Sequence, residues 1–341
     1  MKDFPNEPLG PPVPHVGFEA EVLSLRHGCG LVERSRADRL GLQGEDRLRF
    51  LNGQMTCDLR ALDPGSGTYG FFTSAKGKIE ADATVLALED QLLLVLPPGL
   101  GAAVKQRLER YIITDRVEVT AAEPARRLTF VGPLAGAWLE GMLGRPVPKE
   151  AFAHCDIEVD GRPGRWVREG RLGKQAFSLW LAPESADSLR ERFMEACARD
   201  SMLQPVGREA YESFRIEAGM SRFGQDFGPD NLPQETGIDS AVSYSKGCYL
   251  GQEVVARLHY RGQVSGQLRR LELTGPRPAP LPAELFFEGR SAGSLTSVAP
   301  APEGAGLVGI GYVQRRAFEP GTELEVVNGG VAVVQELPAL F

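Results

Sequence analysis

Apolar and polar residues alternate in the first third of the chain. Ile79, Ala81, Ala83, Val85 and Ala87 fall on one face of an extended segment, and Glu80, Asp82 and Thr84 on the other. A period of two is that of a strand with one buried face. Ser74-Ala75-Lys76-Gly77, just before it, reads as the loop of a hairpin that begins near Phe71, and the run at 91–96 as a further strand. The spacing then lengthens. Leu100, Val104, Leu108 and Tyr111 predict an amphipathic helix, and Ala186, Leu189, Phe193 and Cys197 repeat the pattern. A weaker helix over 134–143 closes at Gly144, and a short one over 44–55 has an acidic first turn. Over 205–219, Val206, Ala210, Phe214 and Ala218 form an apolar stripe that ends at Gly219, where a left-handed cap belongs.

Strand, helix and strand thus recur before residue 200, which predicts an α+β fold with room for an internal duplication. Residues 220–265 are rich in Gly, polar and aromatic residues with weak periodicity, as in a segment that lines a site. The runs at 268–273, 284–288, 307–313 and 323–336 read as short strands separated by Gly and Pro clusters. The expected organisation is a mobile Pro-rich arm over 1–16, an α+β region over 17–265 in two interleaved lobes, and a small β-barrel domain over 266–341.

Charge narrows the function classes. The 38 basic and 45 acidic residues of this 341-residue chain give a net charge of −7, which disfavours bulk nucleic-acid binding. The one basic cluster in view, Arg257, Arg261, Arg269 and Arg270, reads equally as a solvated face. No apolar run approaches the roughly 20 residues that span a bilayer, so no membrane partner is expected. The five cysteines form no C-x-x-C pair, which predicts reduced thiols, a cytoplasmic location and no zinc site. The four scattered histidines offer no metal-ligand spacing. Gly65-Ser66-Gly67-Thr68-Tyr69-Gly70 has the letters of a dinucleotide fingerprint, but it follows Leu62-Asp63-Pro64 and precedes strand-like residues, so it reads as a Gly-rich turn.

Three positions carry candidate chemistry. Asp82 stands on the polar face of its strand, where a solvent-facing carboxylate is the plain reading. Glu217 sits near a predicted helix C-terminus, a poor place for a negative charge. Lys246-Gly247-Cys248-Tyr249-Leu250-Gly251-Gln252-Glu253 is the densest motif. In an extended segment Lys246 and Cys248 project to the same side, and a nearby ammonium favours the thiolate. The plain alternative is a buried structural cysteine in a Gly-rich turn.

This octapeptide resembles the K-G-C-Y-x-G-Q-E signature of the YgfZ-type folate-binding proteins, relatives of the glycine-cleavage T-protein (aminomethyltransferase) and of iron–sulfur assembly factors. Arg215-Ile216-Glu217-Ala218-Gly219, Leu232-Pro233-Gln234-Glu235 and Arg49-Phe50-Leu51-Asn52-Gly53-Gln54-Met55-Thr56 are similar to further family stretches. The resemblance runs from about residue 28 to the C-terminus. It implies a three-lobed cloverleaf around a central folate hole, with a C-terminal β-barrel, and tetrahydrofolate or a derivative as cofactor. It further implies that Glu217 bonds the pterin ring, that Asp82 faces the reacting nitrogens, and that Tyr211 stands where a Trp contacts folate. Cys248 corresponds to a cysteine that the T-protein lacks.

The function implied is a tetrahydrofolate-binding accessory protein for assembly or repair of iron–sulfur clusters, including those of tRNA-modifying enzymes. Its partners would be iron–sulfur client or assembly proteins. Cys248, activated by Lys246 and near the folate, would ligate iron transiently, accept sulfur or form an adduct. The alternative is a folate-dependent aminomethyltransferase or demethylase, with Asp82 essential and Cys248 dispensable.

Overall fold

A computed structural model describes residues 17–34, 37–123, 125–173, 175–302, 306–327 and 329–338. The expected arm over 1–16 lies outside them. The described chain opens with α1 (Phe18–His27), which carries Glu19 and Glu21 in its first turn and Arg26 and His27 in its last, both favourable to the helix dipole. After β1 (Cys29–Glu33) the chain builds a separate sheet from β2 (Asp38–Gln43), α2 (Arg47–Asn52), β3 (Gly67–Thr73), β4 (Ile79–Ala87), β5 (Gln91–Leu96), α3 (Gly101–Tyr111) and β6 (Glu118–Ala121). Its strands lie antiparallel in the order β3-β4-β5-β2-β6.

The chain then returns to the sheet of β1. It adds β7 (Arg126–Val131), α4 (Ala135–Leu143), β8 (His154–Val159), β9 (Arg162–Arg168), β10 (Ala176–Leu181), α5 (Pro183–Cys197) and β11 (Leu203–Pro205). The order is β11-β1-β7-β10-β9-β8, with β1 and β11 parallel. α6 (Arg208–Glu217), two 3-10 turns and α7 (Gln252–Arg261) lead into the last unit. There β12 (Gly266–Thr274), β13 (Ala283–Phe287), β14 (Arg290–Pro300), β15 (Leu307–Gln314), β16 (Glu323–Val326) and β17 (Val331–Gln335) close into a barrel, in the order β12-β15-β14-β13-β16-β17.

The helical periods bury much of what they predict, although Tyr111 of α3 is exposed and Cys197, Phe214 and Ala218 are half-buried. Val104 and Leu108 of α3, and Ala186, Leu189 and Phe193 of α5, are in the core. Gly144 closes α4 in the left-handed conformation. Three readings need correction. Gly65–Gly70 is not wholly a turn, because β3 begins at Gly67; glycine suits Gly70 because a Cβ there would lie 2.6 Å from the Cys57 sulfur. α7 was not predicted, because it lies in the polar, Gly-rich 220–265 segment and Val255 is its only fully buried residue. β14 escaped because it is rich in Ser, Ala, Gly and Thr, and a bulge between Leu295 and Ser297 breaks its alternation.

One buried charge joins the units. Arg215 of α6 is fully buried. It donates to Glu212 Oε2 at 2.8 and 3.0 Å, to Asp226 Oδ2 at 3.0 Å, to the Met220 carbonyl at 2.7 Å and to Ser297 Oγ of β14 at 2.8 Å. Asp226 in turn accepts from Thr296 and Ser297 at 2.7 and 2.6 Å. Arg215→Met would strand two carboxylates in the interior. We expect a loss of about 3–5 kcal/mol in urea denaturation; a loss below about 1 kcal/mol would show the cluster to be dispensable.

Candidate active site

A cleft enclosing about 870 Å³ of empty space, part of it open to solvent, lies where the two sheets and the loop after α6 meet. β4 contributes Asp82, β3 contributes Tyr69, the turn after β9 contributes Glu169 and Arg171, and the 220–225 loop contributes Arg222 and Gln225. Arg34 and Arg127 complete the charged part of the wall.

Asp82 is 4% exposed. Its strand is covered on both faces, so the solvent-facing reading does not hold. Glu80 is the exposed residue of the polar row, while Asp82 turns into the cleft. The register pairs Phe71 with Asp82 and Tyr69 with Thr84, which places Tyr69 diagonally across from Asp82 on one face. The Tyr69 hydroxyl donates to Asp82 Oδ2 at 2.6 Å. Arg171 Nη1 stands 3.5 Å from the same oxygen and donates through Nη2 to the Ser221 carbonyl at 2.7 Å, with its guanidinium 4.3 Å from the Tyr69 ring centre. Asp82 Oδ1 is buried with no partner in the protein. Burial raises the Asp82 pKa above the usual carboxylate value, against the pull of Arg171 and Tyr69.

Glu169 behaves oppositely. Burial works against its charge, but Arg127 and Arg34 prevail and hold its pKa below the usual value. It ion-pairs with Arg127 and accepts from Ser178, while Arg34 is 3.9 Å away. Gly170 is required between Glu169 and Arg171, because a Cβ there would lie 2.1 Å from the Phe152 ring. The cleft therefore holds one carboxylate whose charge its neighbours favour and one whose charge burial disfavours, an arrangement suited to proton transfer.

Of the residues singled out in the sequence, only Asp82 lines this cleft. Tyr211 lies behind the wall, fully buried, with the Arg34 and Arg222 guanidinium carbons 5.7 and 5.6 Å from its ring centre. Glu217 is not in the wall, and its carboxylate is ion-paired with Arg26 of α1. Cys248 is exposed and outside the lining of the cleft, which corrects the buried-cysteine alternative.

Lys246 has a structural role. Its ammonium donates to the Asn52, Met55 and Cys57 carbonyls at 2.6, 2.7 and 2.6 Å. All three protons are thereby committed, so it pins the turn after α2. Burial brings its pKa down to about 8, which leaves it charged at neutral pH. Tyr69, Glu169, Arg171 and Arg222 were missed. Tyr69 was within reach through the hairpin register once Asp82 had been noticed. The others come from loops, where no period marks them.

The comparisons agree with this architecture. The family model described as the GCVT N-terminal domain matches residues 4–246. The mitochondrial aminomethyltransferase of Flaveria trinervia is 27% identical over 322 residues, covering 91% of this chain and 78% of that protein. A chloroplastic protein of Arabidopsis thaliana that carries a transferase name is 25% identical over 317 residues, 92% of this chain and 72% of its own. The crystal structure of glycine cleavage system aminomethyltransferase T from Bartonella henselae superposes with a TM-score of 0.81 at 25% identity, covering 96% of this chain and 91% of that one. The α+β cloverleaf with a terminal barrel is thus the fold. Among the described residues, no helix is long and apolar enough to cross a membrane, and no group of three or more His, Cys, Asp or Glu could hold a metal ion.

Two outcomes follow from the site. Because the Asp82 pKa is raised in the fold, the native state keeps a proton that the unfolded chain releases near 3.8. That stabilisation is full below the unfolded value and is lost as pH rises through the folded one. Asp82→Asn, neutral throughout, should melt progressively higher than wild type as pH rises from about 4 to 7; a constant difference would show that Asp82 is not strained by its charge. Lys246→Met should cost about 3 kcal/mol in chemical denaturation, by orphaning three carbonyls. Unchanged stability would return the lysine to a chemical role.

Proposed function

The chain belongs to the GCVT N-terminal domain family, and from that premise we propose that it binds a tetrahydrofolate in the cleft and sets Asp82 against the nitrogens that carry the one-carbon unit. The observation that carries this reading is the unpartnered, buried Oδ1 of Asp82 beside an Oδ2 already fixed by Tyr69. A carboxylate with a raised pKa and one free oxygen can accept a proton from an amine nitrogen, or return one to it. Tyr211 supports the site from behind through Arg34 and Arg222.

The finer role in the proposal is that of an accessory protein for iron–sulfur cluster assembly or repair, tRNA-modifying enzymes among its clients. Its support is Cys248, a thiol presented to solvent. One cysteine cannot hold a cluster alone, so the client shares the ligation. All five cysteines are free, in keeping with a reducing compartment such as the cytoplasm. Aminomethyl transfer is the second reading. It is favoured by the Asp82–Tyr69 pair and by the names of relatives such as the Nostoc aminomethyltransferase, 26% identical over 330 residues.

Calorimetric titration with tetrahydrofolate tests the shared part. Asp82→Ala should weaken binding by about 1.5–3 kcal/mol, the range of a charge-assisted hydrogen bond, whereas Glu217→Ala should leave it unchanged. The reverse ranking would move the pterin to the Arg26 side of α6. Cells that depend on this protein for an iron–sulfur enzyme separate the two readings. Under the accessory reading Cys248→Ala loses function while binding folate normally; full activity of Cys248→Ala with an inactive Asp82→Ala favours transfer.

A further inference from the structure

Arg222 lines the cleft with one edge unused. Its Nη1 is 2.6 Å from Glu212 Oε1, and its backbone N–H donates to Asp226 Oδ2 at 2.9 Å. Nε and Nη2, which form the side-on edge of the guanidinium, are both buried and have no acceptor in the protein. In Arg126, Arg60 and Arg215 that edge meets a carboxylate. Arg126 donates through Nε and Nη2 to the two oxygens of Glu33 at 2.8 and 2.9 Å, and Arg60 likewise to Asp58 at 3.0 and 2.6 Å. Arg215 brings both atoms to one oxygen of Glu212.

Two parallel N–H donors match the two oxygens of a carboxylate. A buried fork left open is costly unless a ligand fills it. The surroundings favour an anion: Arg34, Arg127, Arg171 and Arg222 line the cleft against two carboxylates, Asp82 and Glu169, and Glu169 is already paired with Arg127. Nearby, the Tyr211 hydroxyl and Ser221 Oγ also lack partners.

We infer that the Nε–Nη2 edge of Arg222 is a carboxylate-binding subsite of the cleft. The carboxylate can come from the glutamate part of the folate, in which case the inference rests on the folate reading, or from a separate small acid bound beside it. Three probes distinguish the sources: tetrahydrofolate, the amide of tetrahydropteroate (which lacks the glutamate and keeps no carboxylate) and acetate, each titrated into wild type and Arg222→Gln. If the folate supplies the carboxylate, wild type prefers tetrahydrofolate over the amide by about tenfold or more, and Arg222→Gln erases that preference.

If a separate acid supplies it, both folates bind alike, and acetate binds wild type saturably but not the variant. A preference that survives in Arg222→Gln together with acetate binding that is absent or unaltered overturns the inference. So does an equal loss for both folates, which would put the pterin on the fork. If wild type binds neither folate, the folate reading falls alone and the acetate titration decides the fork. Should Arg222→Gln fail to fold, Arg222→Lys is read in the same way, because it keeps a charge for Glu212 but has no bidentate edge.

Discussion

The buried guanidinium of Arg215 is the constraint on which the cleft depends. Removing a charge from water is costly, and burial alone would lower its pKa; Glu212 and Asp226 more than offset this and raise it. The bonds reach three places at once: α6 itself, the loop that follows it, and β14 of the barrel. The loop can turn back because Gly219 takes a positive φ of 71°, and a Cβ there would lie 2.7 Å from the Pro338 ring. The same short loop then supplies Arg222, Phe223 and Gln225 to the wall. The wall of the site is therefore built from a stabilising ion cluster, and barrel, helix and cleft share one electrostatic joint.

The interior uses its two cleft carboxylates differently, and the difference follows from their neighbours. Glu169 is ringed by Arg127, Arg34 and Ser178, so its charge is compensated within the protein. Asp82 receives one hydroxyl and a distant guanidinium, and one of its oxygens is left open. An uncompensated buried carboxylate is a poor choice for stability. Its placement on β4, where the register with β3 fixes it against Tyr69, is what a reacting group requires. The open oxygen of Asp82 and the open edge of Arg222 are complementary in kind: one accepts a proton or a hydrogen bond, the other donates two.

The legibility of this molecule in its sequence follows the same physics. Helices with one buried face, such as α3 and α5, announce themselves by period, as does the alternating strand β4, while β5 shows as a short apolar run. What failed to announce itself lacked a clean buried face. α7 is mostly solvated and β14 is bulged and built of small residues. The site was legible at one residue. Asp82 interrupts an otherwise ordinary alternation, but its burial depends on the return of the chain through Glu169, Arg171 and the 220–225 loop, and no local pattern encodes those long-range contacts. Glu217, a charge at a helix end, looks unpaired in one dimension, whereas Arg26, 191 residues away, meets it in three.

The octapeptide shows how a motif divides into what packing explains and what it does not. Lys246 is fixed by three carbonyls. Tyr249 is buried with its ring 5.1 Å from that ammonium. Gly251 must be glycine, with φ of 86° and only 2.3 Å between a built Cβ and the Ser74 carbonyl. The Leu250 carbonyl accepts from Thr73 at 2.5 Å, which ties the motif to the end of β3. These residues hold the segment against the sheet that carries Asp82. Cys248 takes no part in that work, since its side chain faces solvent. A cysteine retained for packing would be buried like Cys29 and Cys57. The fold thus accounts for the frame of the motif and leaves the thiol at 248 as the part to be explained by what the protein meets in solution.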